Sequence, residues 1–432
     1  GALEAIREAV EIRRELAKKN PTAFNPDLEM SLNNLSVMLS RMGDRKGALD
    51  AIREAVEILR GLVKGNPTAF NPDLARALNN LADQLAYVGD REGALEAIRK
   101  AVKIYRWLGE VNPAAFNPDL ALSLNNLAAR LSEVGDREGA LEAIREAVEI
   151  RRGLAKKNPA AFTPDLTSSL NDLSVMLSDV GDREGALEAI REAVGIRRGL
   201  AKKNPAAFNP KLARALNNLS ARLAGVGDRG GALEAIREAT GIYRGLAEGN
   251  PAAFNPELAV SLNNLSVMSS DVGDRKGALD AIREAVGIRR GLAKKNPAAF
   301  NPELAMSLNN LAARLAGVGD REAALKVAWE AIGIYRGLAK KNPGVLNPDL
   351  ASSLNNLSNH LSDVSDHEGA LEAVREAVGI YRSLAKKNPA AFNPELAVSL
   401  NNLSNHLSDV SDHEGALEAI WEAVGIYRLL AK

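Results

Sequence analysis

The residues best suited to recognition chemistry in this 432-residue chain are pairs of asparagines set between leucines, first as Leu32-Asn33-Asn34-Leu35. The pair returns every 46 residues up to Asn401-Asn402, and one copy has Asp172 as its second member. An asparagine side chain carries both a hydrogen-bond donor and an acceptor, so it can hold the backbone of an extended peptide. The second members are therefore candidate peptide-binding residues: Asn34, Asn80, Asn126, Asp172, Asn218, Asn264, Asn310, Asn356 and Asn402.

The same amides also have a structural interpretation, because they could hydrogen-bond to each other or to the adjacent repeat. For the first member of each pair, such as Asn33, we favour this structural role. For the second member, such as Asn34, we favour recognition. Asp172 could select an amine or guanidinium of a ligand, or it could be neutral drift.

Charged residues vary around the amide row while the rest of the repeat is copied. Variation confined to one wall is where a specificity surface would be encoded, although drift at solvent positions explains it equally well. Acids in the C-terminal half favour a basic or polar peptide. The charged candidates for peptide binding are Arg76, Asp83, Asp179, Arg214, Asp271, Asp363 and Asp409.

Histidines could add metal chemistry, since imidazole and carboxylate groups both ligate zinc. All four, His360, His367, His406 and His413, lie in the last two repeats near aspartates. Those repeats share the string Asn-His-Leu-Ser-Asp-Val-Ser-Asp-His-Glu, so one duplication accounts for the cluster. We predict no metal and no cofactor. Because the acids are repeated surface acids and no nucleophile-base pair stands out, we also predict no enzymatic activity.

The composition restricts the partners and the compartment. Lys plus Arg and Asp plus Glu each number 55, so the formal charge is zero, and we predict no nucleic-acid partner. No apolar run approaches the roughly 18 residues of a membrane helix, which predicts no membrane association. The absence of cysteine excludes disulfides and thiolate metal sites. It also fits a protein inside the cell, and we predict a cytoplasmic location.

Prolines divide the chain into helices. All 18 prolines lie in one recurring loop, at two positions per repeat, the first of them Pro21. Asn25-Pro26-Asp27 is typical of a helix start, with an N-cap, a proline at the first helical position and an acid at the positive end of the dipole. We predict helix A over about 26–42. Gly43-Asp44 then ends it and caps helix B, over about 45–64.

The predicted architecture is one all-α solenoid domain over residues 1–432. Helix B carries two apolar stripes, one with Ala48, Ile52 and Ala55 and one with Leu49 and Val56. A helix with two such stripes must be covered on two sides, as it is between stacked neighbours. A lone helix B at 1–19 precedes nine A–B hairpins, predicted to start near 26, 72, 118, 164, 210, 256, 302, 348 and 394.

Small and large core residues alternate in each repeat at Leu32, Leu35, Ser36, Leu39, Ala48, Ile52 and Ala55. In type and spacing they resemble the core of tetratricopeptide repeats, and the segment from Pro118 to Leu127 is similar to the longer repeats of kinesin light chain. The unit of 46 residues exceeds the usual 34, and leucines replace the aromatic residues of helix A. The resemblance implies a right-handed superhelix of antiparallel helix pairs, with helix A lining a concave groove that accepts peptides.

We therefore predict a protein-protein interaction scaffold that binds an extended peptide or a disordered segment in that groove. The alternative is a structural spacer or oligomerisation arm of a larger signalling protein, or an engineered consensus-like repeat scaffold. The chain opens on a helix B and closes on Ile420, Val424 and Ile426 without a polar cap. Solenoid ends usually carry such caps, so we expect a fragment of a longer protein, or self-association through the ends.

Overall fold

The computed structural model describes residues 1–341 and 343–431, with the backbone alone for residues 341 and 343–346. The described residues form 19 α-helices and no strand, which confirms the predicted all-α class and the number of helices. Even-numbered helices are A helices and odd-numbered ones are B helices, so repeat 1 is α2 with α3 and repeat 9 is α18 with α19. The helices are α1 Ala2–Lys19, α2 Pro21–Arg41, α3 Arg45–Gly65, α4 Pro67–Tyr87, α5 Arg91–Val111, α6 Pro113–Glu133, α7 Arg137–Lys157, α8 Pro159–Asp179, α9 Arg183–Lys203, α10 Pro205–Gly225, α11 Arg229–Gly249, α12 Pro251–Asp271, α13 Arg275–Lys295, α14 Pro297–Gly317, α15 Arg321–Lys341, α16 Pro343–Asp363, α17 His367–Lys387, α18 Pro389–Asp409 and α19 His413–Leu430.

Each A helix begins earlier than predicted, which corrects the hairpin starts near 26, 72 and their successors. Helix α2 begins at Pro21, and Asn20 is its N-cap, with its Oδ1 accepting a hydrogen bond from the Ala23 amide at 3.3 Å. Pro26 lies inside the helix. Both prolines follow an asparagine, so each could start a helix. Phe24, between them, packs against the core, so the helix includes it and loses one backbone hydrogen bond at Pro26.

The turn from helix A to helix B follows the predicted Gly-Asp signal. Gly43 has a φ of +83°, in the left-handed region that glycine favours. Asp44 caps α3, its Oδ1 accepting a hydrogen bond from the Gly47 amide at 2.9 Å. In repeats 8 and 9, Ser365 and Ser411 occupy the glycine position, with φ values of 63° and 64°.

The contacts divide the chain into two compact units, Gly1–Phe208 and Asn209–Lys432. Within each compact unit, consecutive helices pack against each other, as α2 does with α3 and α16 with α17. The first unit has Ile52 and Ile98 fully buried in its core, and the second has Ile282. Within each unit, successive A helices also come into contact, as α2 does with α4 and α16 with α18. That residues 1–432 form one domain stays a prediction.

Arginine-glutamate ion pairs join the B helices of successive repeats. Arg14 binds Glu54 at 2.6 Å, and the same pair recurs at the equivalent positions of later repeats. The row is interrupted where Lys100 stands in place of glutamate, so Arg60 binds Glu57 of its own helix and Lys100 binds Glu96. The recurring pairs are Arg106–Glu146, Arg152–Glu192, Arg244–Glu284, Arg290–Glu330, Arg336–Glu376 and Arg382–Glu422.

No helix in the described part of the chain has both the length and the apolar composition needed to cross a membrane.

Candidate functional site

The A-helix face is the side of each A helix that points away from the B helices. Helix periodicity sets it, because the leucines before each amide pair, such as Leu32 and Leu124, are fully buried and the second amide lies on the other side. We define the face in repeat 1 by four residues and in the other repeats by their equivalents at 46-residue intervals. The four residues are Met30, Asn34, Val37 and Arg41.

Apolar side chains stand exposed on the A-helix face. At the position of Met30, five repeats carry a Met, Leu or Val that is 43% to 50% exposed. Isolated exposed apolar residues are ordinary, but their recurrence at one register of the repeat offers several apolar contacts to a partner. The five residues are Met30, Leu122, Val260, Met306 and Val398.

In most of the pairs, the first asparagine connects neighbouring A helices. Asn355 Nδ2 donates to Ser399 Oγ of the next repeat at 2.6 Å. Asn79 and Asn309 donate in the same way to Ser123 and Ser353. These bonds agree with the structural role favoured for the first asparagine.

Seven of the eight second asparagines fall into two groups, and Asn218 also interacts within the protein. Asn80 Nδ2 donates to Asn33 Oδ1 at 2.8 Å, and Asn310 Nδ2 donates to Asn263 Oδ1 at 2.9 Å. These two therefore hold neighbouring repeats together, as the structural alternative expected. A second group makes no side-chain hydrogen bond to any residue that the structure describes. It consists of Asn34, Asn126, Asn264, Asn356 and Asn402.

Asp172, which replaces an asparagine, has partners inside the protein. Asn125 Nδ2 donates to Asp172 Oδ2 at 3.0 Å, and Arg151 Nη1 donates to Asn125 Oδ1 at 3.0 Å. Arg151 is buried, which lowers its pKa, while the charges of Asp165 and Asp172 act in the opposite direction. The Arg151 guanidinium, the Asn125 amide and the Asp172 carboxylate are thus linked by hydrogen bonds in that order. That it also binds a cation of a ligand stays a prediction.

One position on the B helices, below the A-helix face, was not recognised as structurally important from the sequence. It holds arginine in some repeats, tyrosine in others and leucine once, and most of these side chains are buried. Arg289 hydrogen-bonds to the A helix that follows it, and Tyr381 to the A helix that precedes it. Arg289 Nη1 donates to the Glu303 carbonyl at 2.7 Å, whereas Tyr381 OH donates to the Pro348 carbonyl at 3.3 Å. The restriction of this position to arginine or tyrosine in nine of its ten copies was the available signal. The position comprises Arg13, Leu59, Tyr105, Arg151, Arg197, Tyr243, Arg289, Tyr335, Tyr381 and Tyr427.

The predicted charged residues do not meet in one place. Arg76 pairs with Asp73 of its own helix. Asp83 is half-buried, and burial raises its pKa while Arg130 opposes the shift. The others are exposed, the aspartates each at the last residue of an A helix. They are Asp179, Arg214, Asp271, Asp363 and Asp409.

The histidines of repeats 8 and 9 make local contacts. His406 Nε2 lies 3.1 Å from Ser358 Oγ, and its Nδ1 lies 3.7 Å from Asp409 Oδ2. Burial lowers the pKa of His360 and His406, with the nearby aspartates opposing the shift. Within the described residues, no group of three or more His, Cys, Asp or Glu side chains could hold a metal ion.

Solved structures are similar in fold. The apo form of RapI matches with a TM-score of 0.61 and 14% identity, over 94% of this chain and 98% of that one. BtubC (BKLC) from P. vanneervenii matches with a TM-score of 0.47 and 24% identity, over 56% and 90%. A putative kinesin light chain from Podosopora anserina, with nearly identical TPR-like repeats, matches with a TM-score of 0.40 and 18% identity, over 51% and 96%. No curated protein matches the chain.

The sequence also matches a family model, described as the tetratricopeptide repeat, in seven segments that together cover more than half of its length. They are residues 29–66, 74–106, 120–158, 166–204, 258–296, 304–342 and 350–389. Each segment joins most of an A helix to the B helix that follows it. The chain belongs to the tetratricopeptide repeat family.

Proposed function

We propose that the chain is a protein-interaction scaffold that binds an extended peptide or a disordered segment along the A-helix face. One observation carries the proposal. Asn34, Asn126, Asn264, Asn356 and Asn402 recur at one register and have no side-chain partner among the described residues. Amides that make no bond within the protein can exchange water for the backbone groups of a partner.

The spacing of the helices suits an extended ligand. Packed helices lie about 8–10 Å apart, and an extended chain advances about 3.3 Å per residue. Within either compact unit, each A helix would therefore face about every third residue of the peptide. The amides would bond the peptide backbone, and exposed side chains such as Leu122 and Val260 would contact its apolar side chains.

Specificity would come from the residues that vary along the face. Exposed Asp271, Asp363 and Asp409 favour a basic or polar peptide over an acidic one. We propose no catalytic role, in keeping with the family as a non-catalytic scaffold type, and hydrolase or transferase activity of the purified chain would overturn this. The cytoplasmic location and self-association stay predictions.

The experiment compares two triple variants on peptides selected from a random display library with the wild-type chain. Asn264→Ala, Asn356→Ala and Asn402→Ala together should weaken peptide binding at least tenfold and leave the unfolding midpoint unchanged. The matched control replaces three exposed B-helix residues, Glu234→Ala, Glu372→Ala and Glu418→Ala, and should bind as the wild type does.

Two results would overturn the proposal. One is a library that yields no peptide. The other is equal binding by both triple variants. Either would favour the alternative, a spacer or oligomerisation arm in which the copied repeats serve rigidity.

A further inference from the structure

A depression opens on the A-helix face between α16 and α18. Its volume is about 420 Å³, enough for one long side chain. Asn356, Asn359 and Asn402 lie around it, and Asn355 and Tyr381 line it as buried residues.

Asn355 has an oxygen with no hydrogen-bond donor. The residue is 8% exposed, and its Oδ1 accepts no hydrogen bond from any described residue. The orientation of the amide follows from its neighbour, because Ser399 Oγ donates to the Glu395 carbonyl at 2.9 Å. Ser399 must then accept from Asn355 Nδ2, which turns the oxygen away from it. A buried acceptor without a donor is uncommon in folded proteins and marks a place for a missing partner.

Another repeat of the same chain shows which donor this oxygen can take. Asn125 is the equivalent of Asn355, and its Oδ1 accepts from the guanidinium of Arg151 at 3.0 Å. In repeat 8 the residue equivalent to Arg151 is Tyr381, whose hydroxyl donates elsewhere, to the Pro348 carbonyl. The position that receives a guanidinium in repeat 3 is therefore without one in repeat 8.

A carboxylate in the same depression also has no cation. Glu395 lines the depression, is exposed and forms no ion pair with a described residue. The equivalent acid in repeat 2, Asp73, pairs with Arg76, but repeat 9 has Val398 in place of that arginine. The depression thus combines an unused acceptor with an unpaired negative charge.

We propose that this depression is a subsite for a basic side chain, arginine or lysine, of the bound peptide. The inference rests on the proposed function, since the side chain belongs to the peptide on the A-helix face. Its guanidinium or ammonium group enters between α16 and α18, donates to Asn355 Oδ1 and pairs with the Glu395 carboxylate.

The first test uses N-acetyl-arginine methylamide as a probe and N-acetyl-citrulline methylamide as its uncharged counterpart. The readout is the NMR signal of the Asn355 side-chain amide, assigned by its loss in Asn355→Leu. The arginine probe should shift this signal in a saturable way, with at least fivefold weaker binding of the citrulline probe. Glu395→Gln should weaken the arginine probe to a similar degree.

In the second test, a variant fills the depression with an arginine side chain of its own. Tyr381→Arg places at this position the residue found in repeats 3, 4 and 6, so it should fold and abolish the response to the arginine probe. Tyr335→Arg, the same change one repeat earlier, should leave the response intact. An equal response to both probes, no response, or an unchanged response in Tyr381→Arg would overturn the subsite.

Peptide selection separates the two proposals. If library peptides bind the A-helix face but their affinity is unchanged in Tyr381→Arg and Glu395→Gln, the subsite is wrong and the proposed function stands. If the arginine probe binds as expected but no library peptide does, the peptide-binding function is wrong and the depression is a site for free guanidinium or ammonium compounds.

Discussion

Single buried residues make otherwise copied repeats differ in charge and packing, and Glu29 is the clearest case. The equivalent position holds alanine or, in repeat 4, threonine, as Thr167. Glu29 is buried beside α4, and burial raises its pKa to about 7, with Asp73 adding to the shift and Arg76 opposing it. A carboxylate thus stands where the other repeats pack a small side chain.

This raised pKa predicts that stability depends on pH. An acid whose pKa is higher in the folded state binds its proton more tightly there, so folding is favoured at low pH. The stability that Glu29 contributes should be fully present below about pH 4.5, its ordinary pKa, and lost as the pH rises to about 7. Glu29→Ala should therefore raise the urea midpoint more at pH 8 than at pH 5. An equal change at both pH values would contradict this.

Backbone strain at two serines gives a second residue-scale prediction. Ser365 and Ser411 have φ values of 63° and 64°, where a side chain costs about 1–2 kcal/mol relative to the right-handed region. The other described A–B turns have glycine, as at Gly181. Ser365→Gly and Ser411→Gly should each raise the free energy of unfolding by about 1 kcal/mol in denaturant titrations. The reverse change, Gly181→Ser, should lower it, and no effect in either direction would rule out strain at this turn.

At the scale of elements, Lys100 interrupts the row of ion pairs between the B helices of the first compact unit. Introduced into a Glu96→Gln background, so that no Lys100–Glu96 pair is lost, Lys100→Glu would place a carboxylate opposite Arg60, as in the other repeats, and remove the facing cation. An exposed ion pair contributes about 0.2–1 kcal/mol, so a gain of that size is expected in low salt. The gain should shrink in 1 M NaCl, where screening is strong. Lys103→Glu is the control on the same helix, and an equal gain there would mean that net charge, not the ion pair, is responsible.

Substitutions in the two groups of second asparagines should also have different effects on the stability of the protein. Asn310→Ala removes the hydrogen-bond donor of buried Asn263 Oδ1. A buried acceptor left without a donor lowers the free energy of unfolding by about 1–3 kcal/mol. Asn264→Ala removes no described hydrogen bond and should stay within about 0.5 kcal/mol of the wild type. Thermal or denaturant unfolding of the two variants distinguishes them. Similar losses in both would place Asn264 among the structural amides.

The helices were predictable because the 46-residue interval of prolines and the 3.6-residue period repeat so strictly. The start of helix A was not predictable, because Asn20-Pro21 and Asn25-Pro26 carry the same start signal. The packing of Phe24 against the core decides between them. The hydrogen-bond partners of each asparagine pair could not be predicted from the sequence either. Asn125 and Asn355 have the same neighbours in the chain, but the residue below them is Arg151 in one repeat and Tyr381 in the other.

At the scale of the whole molecule, copied interfaces hold the helices of each compact unit together, and the A-helix face carries the differences between repeats. Buried residues such as Ile52 and Ala55 recur with few changes, while the positions of Met30 and Arg41 change in almost every repeat. Under the proposed function, a long ligand would bind through many weak contacts, because each repeat would add its own.

The most direct measurement is a crystal structure of the chain with a peptide selected from the library. The peptide should lie extended along the A-helix face, with backbone N–H or C=O groups about 3 Å from the amides of Asn264, Asn356 and Asn402. A peptide bound to the B helices or to the loops, with these amides uncontacted, would contradict the proposed function.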